Sequence, residues 1–282
     1  MGRKRAGRAG KDQGSGPTAG TYGVDSGEVE LVPDANRANG WWLYLDGRPS
    51  SHVVIGDPMH LEFAYMRWIA AAIEWFAPAF LDLECLRITH LGAAGCSLPR
   101  WAAACFPRSR NTAVEIDAQL AAHVREWFDI PRSPSVKIRA ADALEVLEEA
   151  RPASRDIVIR DVFANGKTPS PLADAGFFRE VARTLAPGGL YAANVGDDGS
   201  LDASRAEVRE AKRKFASVAL ITDRAMLRPR RKHSGNVVVV ASDRPLPREG
   251  TPDAARISAG LLGGESPAVY CDPAWVAEAF TA

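Results

Sequence analysis

Four acidic positions and one turn of small residues stand where they could do chemistry. The run Ile88-Thr89-His90-Leu91 leads directly into Gly92-Ala93-Ala94-Gly95-Cys96-Ser97, and Pro99 then opens a helical pattern. Small residues let the backbone bend sharply after a strand and approach a ligand closely, although a tight turn that holds nothing reads much the same. Twenty positions beyond Gly95, Val114-Glu115-Ile116-Asp117 ends the next strand-like run in carboxylates. An acid at Glu115 can accept hydrogen bonds from both hydroxyls of a ribose lying over the turn; its plainer reading is a solvated strand end, and Asp117 reads as the N-cap of the helix that follows. Asp142, in Ala140-Ala141-Asp142-Ala143-Leu144, is placed to receive the exocyclic amine of adenine and equally to cap a helix from Ala143, two compatible roles. Asp161 ends a further apolar run, and the loop after it, 162–172, contains Gly166, Pro169 and Pro171. A carboxylate there, beneath a loop able to fold over a ligand, suits a catalytic base, an amine anchor or simply a loop cap.

The elements that must position these groups follow from periodicity. Short β-branched runs at 86–91, 112–116, 136–138, 156–161, 190–195, 218–221 and 236–241 alternate with helical patterns at 99–105, 118–128, 143–149, 175–185 and 203–215. Alternation of this kind predicts a mostly parallel sheet covered on both faces, because parallel strands need crossover connections. The last two runs lack an intervening helix and predict an antiparallel hairpin across 228–232. Ahead of this pattern, 61–76 places Leu61, Ala64, Tyr65, Trp68, Ile69, Ala72, Ile73 and Phe76 at helical spacing, with Pro78 just past its end. Extended pieces at 28–32, 41–45 and 52–55, separated by turn residues such as Asp46-Gly47, predict a small β-hairpin appendage. The predicted organisation is a disordered basic head over 1–20, the appendage over 21–60, a nucleoside-binding domain over 61–245 and a helical tail over 246–282, with helices at 253–262 and 273–280.

Composition narrows the function class. Thirty-five basic residues balance thirty-five acidic ones in the 282-residue chain, which argues against a dedicated nucleic-acid partner. The zero is uneven, because Arg3, Lys4, Arg5, Arg8 and Lys11 face only Asp12 in the head. The head reads as a solvated tail, with a polyanion-binding arm as the alternative. The internal basic cluster Arg228, Arg230, Arg231 and Lys232 reads as an exposed turn. Cys85, Cys96, Cys105 and Cys271 form no CxxC pair and have no histidine at ligand spacing, so they predict reduced thiols and no metal site. The five histidines are scattered and carry no expected role. No apolar stretch follows the basic start, and the best membrane candidate, 63–80, is interrupted by Arg67, Glu74 and Pro78, so the expectation is a cytoplasmic protein with no membrane partner.

Together these residues resemble the polyamine aminopropyltransferases, or spermidine synthases, over about 41–242. Leu45-Asp46-Gly47 is similar to that family's hairpin turn, and Glu62-Phe63-Ala64-Tyr65 to its D-E-x-x-Y segment. Val114-Glu115-Ile116-Asp117 resembles its ribose-binding strand end, Ala141-Asp142-Ala143 its adenine-side G-D-A, and 156–161 the strand that delivers its catalytic Asp. Phe177-Phe178 through Leu185-Ala186-Pro187-Gly188-Gly189 fits the helix and turn of its fold. The resemblance implies an α/β fold of the class I methyltransferase type: a Rossmann-like, seven-stranded, mostly parallel sheet with helices on both faces, plus the N-terminal β-hairpin appendage. It further implies a nucleoside site built from Gly92, Ala93, Gly95, Glu115, Asp142 and Ala143, with Asp161 and Tyr65 facing the reaction chamber. S-adenosylmethionine, or its decarboxylated form, is the implied cofactor. A small-molecule acceptor, with an amine as candidate, and a homodimer are the expected partners.

Three departures qualify the resemblance. Gly95 stands where the family's G-G-G-D-G turn carries the Asp that binds the aminopropyl amine. Ala164 ends Asp161-Val162-Phe163-Ala164 where the family reads D-S-S-D, and Met66 replaces a Gln after the tyrosine. A desolvated diamine needs compensating negative charge, so the sequence favours methyl over aminopropyl transfer. The alternatives are a true aminopropyltransferase whose missing carboxylates come from Asp57, Glu62 or Asp174, and a nucleoside-binding protein without turnover.

Overall fold

The computed structural model describes residues 16–164, 166–228, 234–263 and 268–280. The charged head up to residue 15 and Arg230, Arg231 and Lys232 of the basic cluster lie outside the described residues. Four strands open the described chain, β1 (Gly20–Val24), β2 (Gly27–Pro33), β3 (Gly40–Leu45) and β4 (Arg48–Val54), and pair in sequence order as an antiparallel meander. Three of these match expected extended pieces. The first starts inside the stretch assigned to the head, because Tyr22, Val24 and their partners on β2 have an apolar surface to cover.

The main domain begins with α1 (Ala64–Phe80) and continues as β5 (Arg87–Leu91), α2 (Ser97–Cys105), β6 (Arg110–Glu115), α3 (Ala118–Trp127), β7 (Val136–Ala140) and α4 (Ala143–Glu149). It then runs through β8 (Arg155–Arg160), α5 (Ala175–Thr184), β9 (Leu185–Asp197), α6 (Asp202–Lys212), β10 (Ser217–Asp223) and β11 (Gly235–Ser242), and ends with α7 (Pro252–Leu261), β12 (Ala268–Cys271) and α8 (Pro273–Ala279). The strands form one sheet in the order β12-β10-β11-β9-β8-β5-β6-β7, parallel from β9 to β7 and antiparallel from β12 to β9. It has eight strands where sequence reading expected seven. The segment read as a helical tail does hold two helices, but β12 lies between them and pairs with β10, so this segment contributes a strand to the sheet. Four residues of Ala-Val-Tyr-Cys carry too little periodicity to announce a strand.

Helices bury both faces of the sheet. On one, α1, α2 and α7 pack Ile69, Ile73, Phe76, Trp101 and Ile257 onto Ile88, Ile157, Ile159 and Val238. On the other, α4, α5, α6 and α8 pack Val146, Phe177, Val181, Val208 and Val276 onto Val158, Tyr191 and Val239. Alternate residues of β8 and β9 divide between the two clusters, as a strand buried on both faces requires. Aspartates set the helix starts, with Asp117, Asp142, Asp174 and Asp272 each accepting from backbone amides of the first turn. Pro78 lies inside α1 rather than beyond it, because the flanking Trp75, Phe76, Ala77 and Phe80 hold the last turn against the core. Among the described residues no helix is long and apolar enough to cross a membrane.

The meander is pinned to this domain beside the carboxyl ends of β5 and β6. Asp25 accepts from the amides of Ala118 and Gln119 at 2.9 and 3.1 Å, and Ser26 donates through its amide and hydroxyl to Asp117 at 2.7 and 2.6 Å. Ser97 donates to the His52 carbonyl at 2.8 Å, and the Arg100 guanidinium to the Val54 carbonyl at 2.9 Å and to Asp129.

Beneath the site, the fully buried Arg160 donates to Glu207 at 3.0 Å and to the Leu172 carbonyl at 2.6 Å, while Tyr191 donates to the other Glu207 oxygen at 2.8 Å. Breaking a buried pair leaves an uncompensated charge, so Glu207→Ala is expected to destabilise the fold by about 3–5 kcal/mol in denaturant unfolding. A loss below about 1 kcal/mol would show that Arg160 does not depend on Glu207.

Candidate functional site

The chain moves from β5 outward through β6 and β7, then returns to place β8 on the other side of β5. The crevice at such a reversal, beyond the carboxyl ends of the strands, is where open α/β sheets bind ligands. Gly92 ends β5 there with φ of +81°, and a Cβ on it would stand 2.3 Å from the Asp161 carbonyl oxygen. Glycine is thus required at 92 on both conformational and steric grounds. The turn remains constrained, with Ala94 and Cys96 also at positive φ, of 38° and 60°.

Glu115 organises this turn. Its Oε2 accepts from the Ala94 amide at 2.8 Å and its Oε1 from the Asp117 amide at 3.2 Å. Burial holds its carboxyl above the usual range against the opposing pull of these amides. A third amide, that of Ala93, also bears on the carboxylate, and of its roughly four acceptor sites at least one stays open to a ribose hydroxyl. Asp142, at the end of β7, caps α4 through Oδ1 alone, accepting from Leu144 and Glu145 at 2.7 and 3.2 Å, which leaves Oδ2 for a ligand. Ala143 is the first residue of α4 and is buried in the core below the crevice. Ala93 is likewise buried, against the meander. The acceptors, Glu115 against the turn and Asp142 beyond β7, are of the type that the hydroxyls and amine of a nucleoside require.

Gly95 does not share this orientation. Its amide donates to Ser51 Oγ at 2.9 Å, and a Cβ on it would lie 2.7 Å from the Ser51 Cβ. At position 95 the amide, and the side on which a Cβ would stand, face β4. A carboxylate placed there would be built into the meander.

Asp161, immediately beyond β8, is the polar centre of the crevice. Tyr65, in the first turn of α1, donates to its Oδ2 at 3.0 Å, and Asn194 of β9 donates to its Oδ1 at 2.9 Å. Asn194 in turn receives from Asn236 of β11 at 3.0 Å. Burial raises the Asp161 carboxyl above the ordinary range, while the two donors and, through its charge, the neighbouring Arg160 pull it down. Burial, with the neighbouring carboxylate, also pushes the Tyr65 phenol well up, so Tyr65 stays a proton donor at neutral pH. The neighbouring Arg160 is engaged by Glu207, and among the described residues no cation pairs directly with Asp161. Of the carboxylates considered as replacements, Asp174 caps α5, Glu62 meets His60, and Asp57 is exposed. Phe163 packs by its ring edge on Gly196, and Arg48 reaches Gly166, so the loop after Asp161 rests on β9 and the meander.

The structure brings Gly92, Glu115, Asp161 and Tyr65 together at this crevice, and Asp142 stands just beyond β7, two strands away from β5. Sequence reading missed Asn194 and Asn236. Their signal is an amide inside otherwise apolar strands, since a buried amide in Ala-Ala-Asn-Val must have a partner.

No family model matches the chain. A crystal structure of a probable spermidine synthase from Corynebacterium glutamicum is 46% identical, with a TM-score of 0.90 and coverage of 93% of both chains. The chain belongs to the spermidine synthase family. Curated relatives agree at lower similarity: a polyamine aminopropyltransferase of Neisseria meningitidis is 29% identical over 51% of this chain and 53% of its own, so the match spans about half of that relative. The human eEF1A lysine and N-terminal methyltransferase is 30% identical over 39% of this chain and 17% of its own. This family member therefore has the fold of transferases that use S-adenosylmethionine or relatives of it.

Asn194→Ala removes a donor that favours the ionised Asp161, so the carboxyl pKa should rise further. If Asp161 must be ionised to act, the acid limb of the kcat/KM profile should move to higher pH, with Tyr65→Phe moving it the same way. An unmoved limb in both variants would remove Asp161 as the titrating group. Glu115→Ala is expected to weaken nucleoside binding by about 1.5–3 kcal/mol in calorimetry with methylthioadenosine; unchanged affinity in a folded variant would refute the ribose assignment.

Proposed function

We propose that the protein alkylates a small-molecule amine, drawing the group from the sulfonium of decarboxylated S-adenosylmethionine, with Asp161 as the residue that receives the amine and then its proton. One observation carries this reading: a half-buried carboxylate held by two neutral donors, Tyr65 and Asn194, with no direct cationic partner among the described residues. Such a group is unfavourable until a cation or a proton meets it, and a protonated amine supplies both. The donor supplies a carbon already activated for displacement. The residues here need only hold, orient and deprotonate: Glu115 and Asp142 hold the nucleoside, Tyr65 and Asn194 fix both oxygens of Asp161, and Asp161 takes the proton.

The likeness to the probable spermidine synthase and to the aminopropyltransferases supports aminopropyl transfer, against the methyl preference drawn from sequence. A second reading, methyl transfer from S-adenosylmethionine, is favoured by Gly95, whose position offers no carboxylate to an aminopropyl ammonium and faces Ser51 instead.

The test is a product assay with both donors and a panel of diamines and polyamines. Aminopropyl transfer is expected to yield methylthioadenosine from the decarboxylated donor at a rate abolished by Asp161→Asn. S-adenosylhomocysteine formed from S-adenosylmethionine would establish the methyl reading instead. Absence of both products with every amine, despite nucleoside binding, would overturn amine alkylation.

A further inference from the structure

Sequence reading left the histidines without a role, but the fold brings two of them together on the meander side of α1. His52 lies on β4 and His60 in the turn before α1, with ring centroids 5.4 Å apart and planes at 70°. One ring nitrogen from each, with one carboxylate oxygen of Glu62, lie within 4.8 Å of one another. His60 Nε2 is 2.8 Å from Glu62 Oε2. On its other side His52 Nε2 is 2.9 Å from Asp34 Oδ2, and Asp34 is itself fixed by the Asn36 amide at 2.8 Å on Oδ1.

That arrangement leaves a buried imidazole half satisfied. His52 is 1% exposed, and its Nδ1 has no hydrogen-bond partner. With Nε2 facing a carboxylate the proton belongs on Nε2, so Nδ1 carries a lone pair with nothing to accept. Burial depresses the pKa of His52 and keeps the ring neutral. A buried acceptor without a donor costs free energy, and a Lewis acid is one way to satisfy it.

We propose that His52 through Nδ1, His60 through Nε2 and the Glu62 carboxylate form a site for a divalent transition-metal cation of the zinc class, with Asp34 as the carboxylate that orients His52. Two imidazoles and one carboxylate are the donors such ions select, whereas calcium and magnesium select oxygen throughout. A carboxylate on the remote nitrogen of a ligating histidine fixes its tautomer and raises its basicity, which is the relation Asp34 has to His52. The contact between His60 and Glu62 is then a proton holding two ligands in the place a metal would take. The side chains of His60 and Glu62 are 17% and 39% exposed, so the site opens to solvent and three protein ligands leave a position for water. A chain of aromatic contacts connects the site to Tyr65: the Trp42 ring is 4.5 Å from His52 at a tilt of 58° and meets Phe63 edge-on at 6.0 Å, and Phe63 is 5.8 Å from Tyr65.

The experiment titrates Zn²⁺ by calorimetry, and Co²⁺ by visible absorption, into the chelator-treated full-length protein carrying Cys85→Ser, which removes the exposed thiol as a competing ligand. One equivalent of Zn²⁺ is expected to bind, and Co²⁺ is expected to give the intense bands of a low-coordinate N/O site. His60→Gln and Glu62→Gln, both partly exposed and checked by circular dichroism, should each weaken Zn²⁺ at least tenfold and bleach the cobalt bands. Asp34→Asn, which removes no ligand, should weaken it roughly 10- to 100-fold, and His123→Gln should change nothing. No stoichiometric Zn²⁺ binding by the parent, or binding that survives both His60→Gln and Glu62→Gln, would overturn the site and leave His60–Glu62 as an ordinary surface pair. A loss of equal size in His123→Gln would overturn it as well, since binding would then be adventitious.

Discussion

A half-buried carboxylate without a direct cationic partner among the described residues is the constraint around which the site is arranged. Asp161 emerges where the strand order reverses, and every neighbour bears on its ionisation. Tyr65 and Asn194 each lend a neutral donor, enough to hold the carboxylate in place yet not enough to lower its pKa to the ordinary range. Arg160, the next residue back, would pair with it on the grounds of proximity, but its guanidinium is held among Phe177, Leu172 and Glu207. Held this way, Arg160 lowers the Asp161 pKa through its charge without pairing with it directly. Gly92 belongs to the same constraint, because only a residue without Cβ lets the nucleoside turn pass directly over the Asp161 carbonyl.

The glycine turn is tied to the same crevice through Glu115, whose two oxygens brace the turn after β5 and the start of α3. The meander completes the wall: Asp25 and Ser26 cap and buttress α3, and Ser51 fills the space that Gly95 leaves open. A family aspartate is absent at that point, and the gap is closed by the appendage rather than left for a ligand. This is the physical content of the chain's departure from its relatives.

Much of this was legible in the sequence because it is local. The alternation of β-branched runs with amphipathic segments, the aspartates one residue before helices and the glycine after a strand each depend on a few neighbouring residues. Asp161 and Glu115 were legible for the same reason, as acids ending apolar runs. What was not legible depends on long-range geometry. The direction of the Gly95 Cα–H bond is set by packing against Ser51, 44 positions earlier. The meeting of His52 with Asp34 and His60 needs the register of three strands and a turn. Asn194 needed only the rule that buried amides have partners, but its partner, Asn236, lies 42 residues away on β11. Strand β12 is stabilised by its pairing with β10 and by the packing of α7 and α8, none of which four residues can encode alone.

The central claim is that Asp161 sits as a perturbed carboxylate awaiting a cation. Its ionisation can be read directly by ¹³C NMR or difference infrared spectroscopy of protein labelled at aspartate carboxyls, with Asp161→Asn to assign the signal. The account expects the free protein to show the Asp161 carboxyl titrating above the ordinary aspartate range. With methylthioadenosine and a polyamine bound, that midpoint should fall as an ammonium takes the place of the missing partner. A signal already titrating at or below the ordinary range, and unmoved by the amine, would contradict it.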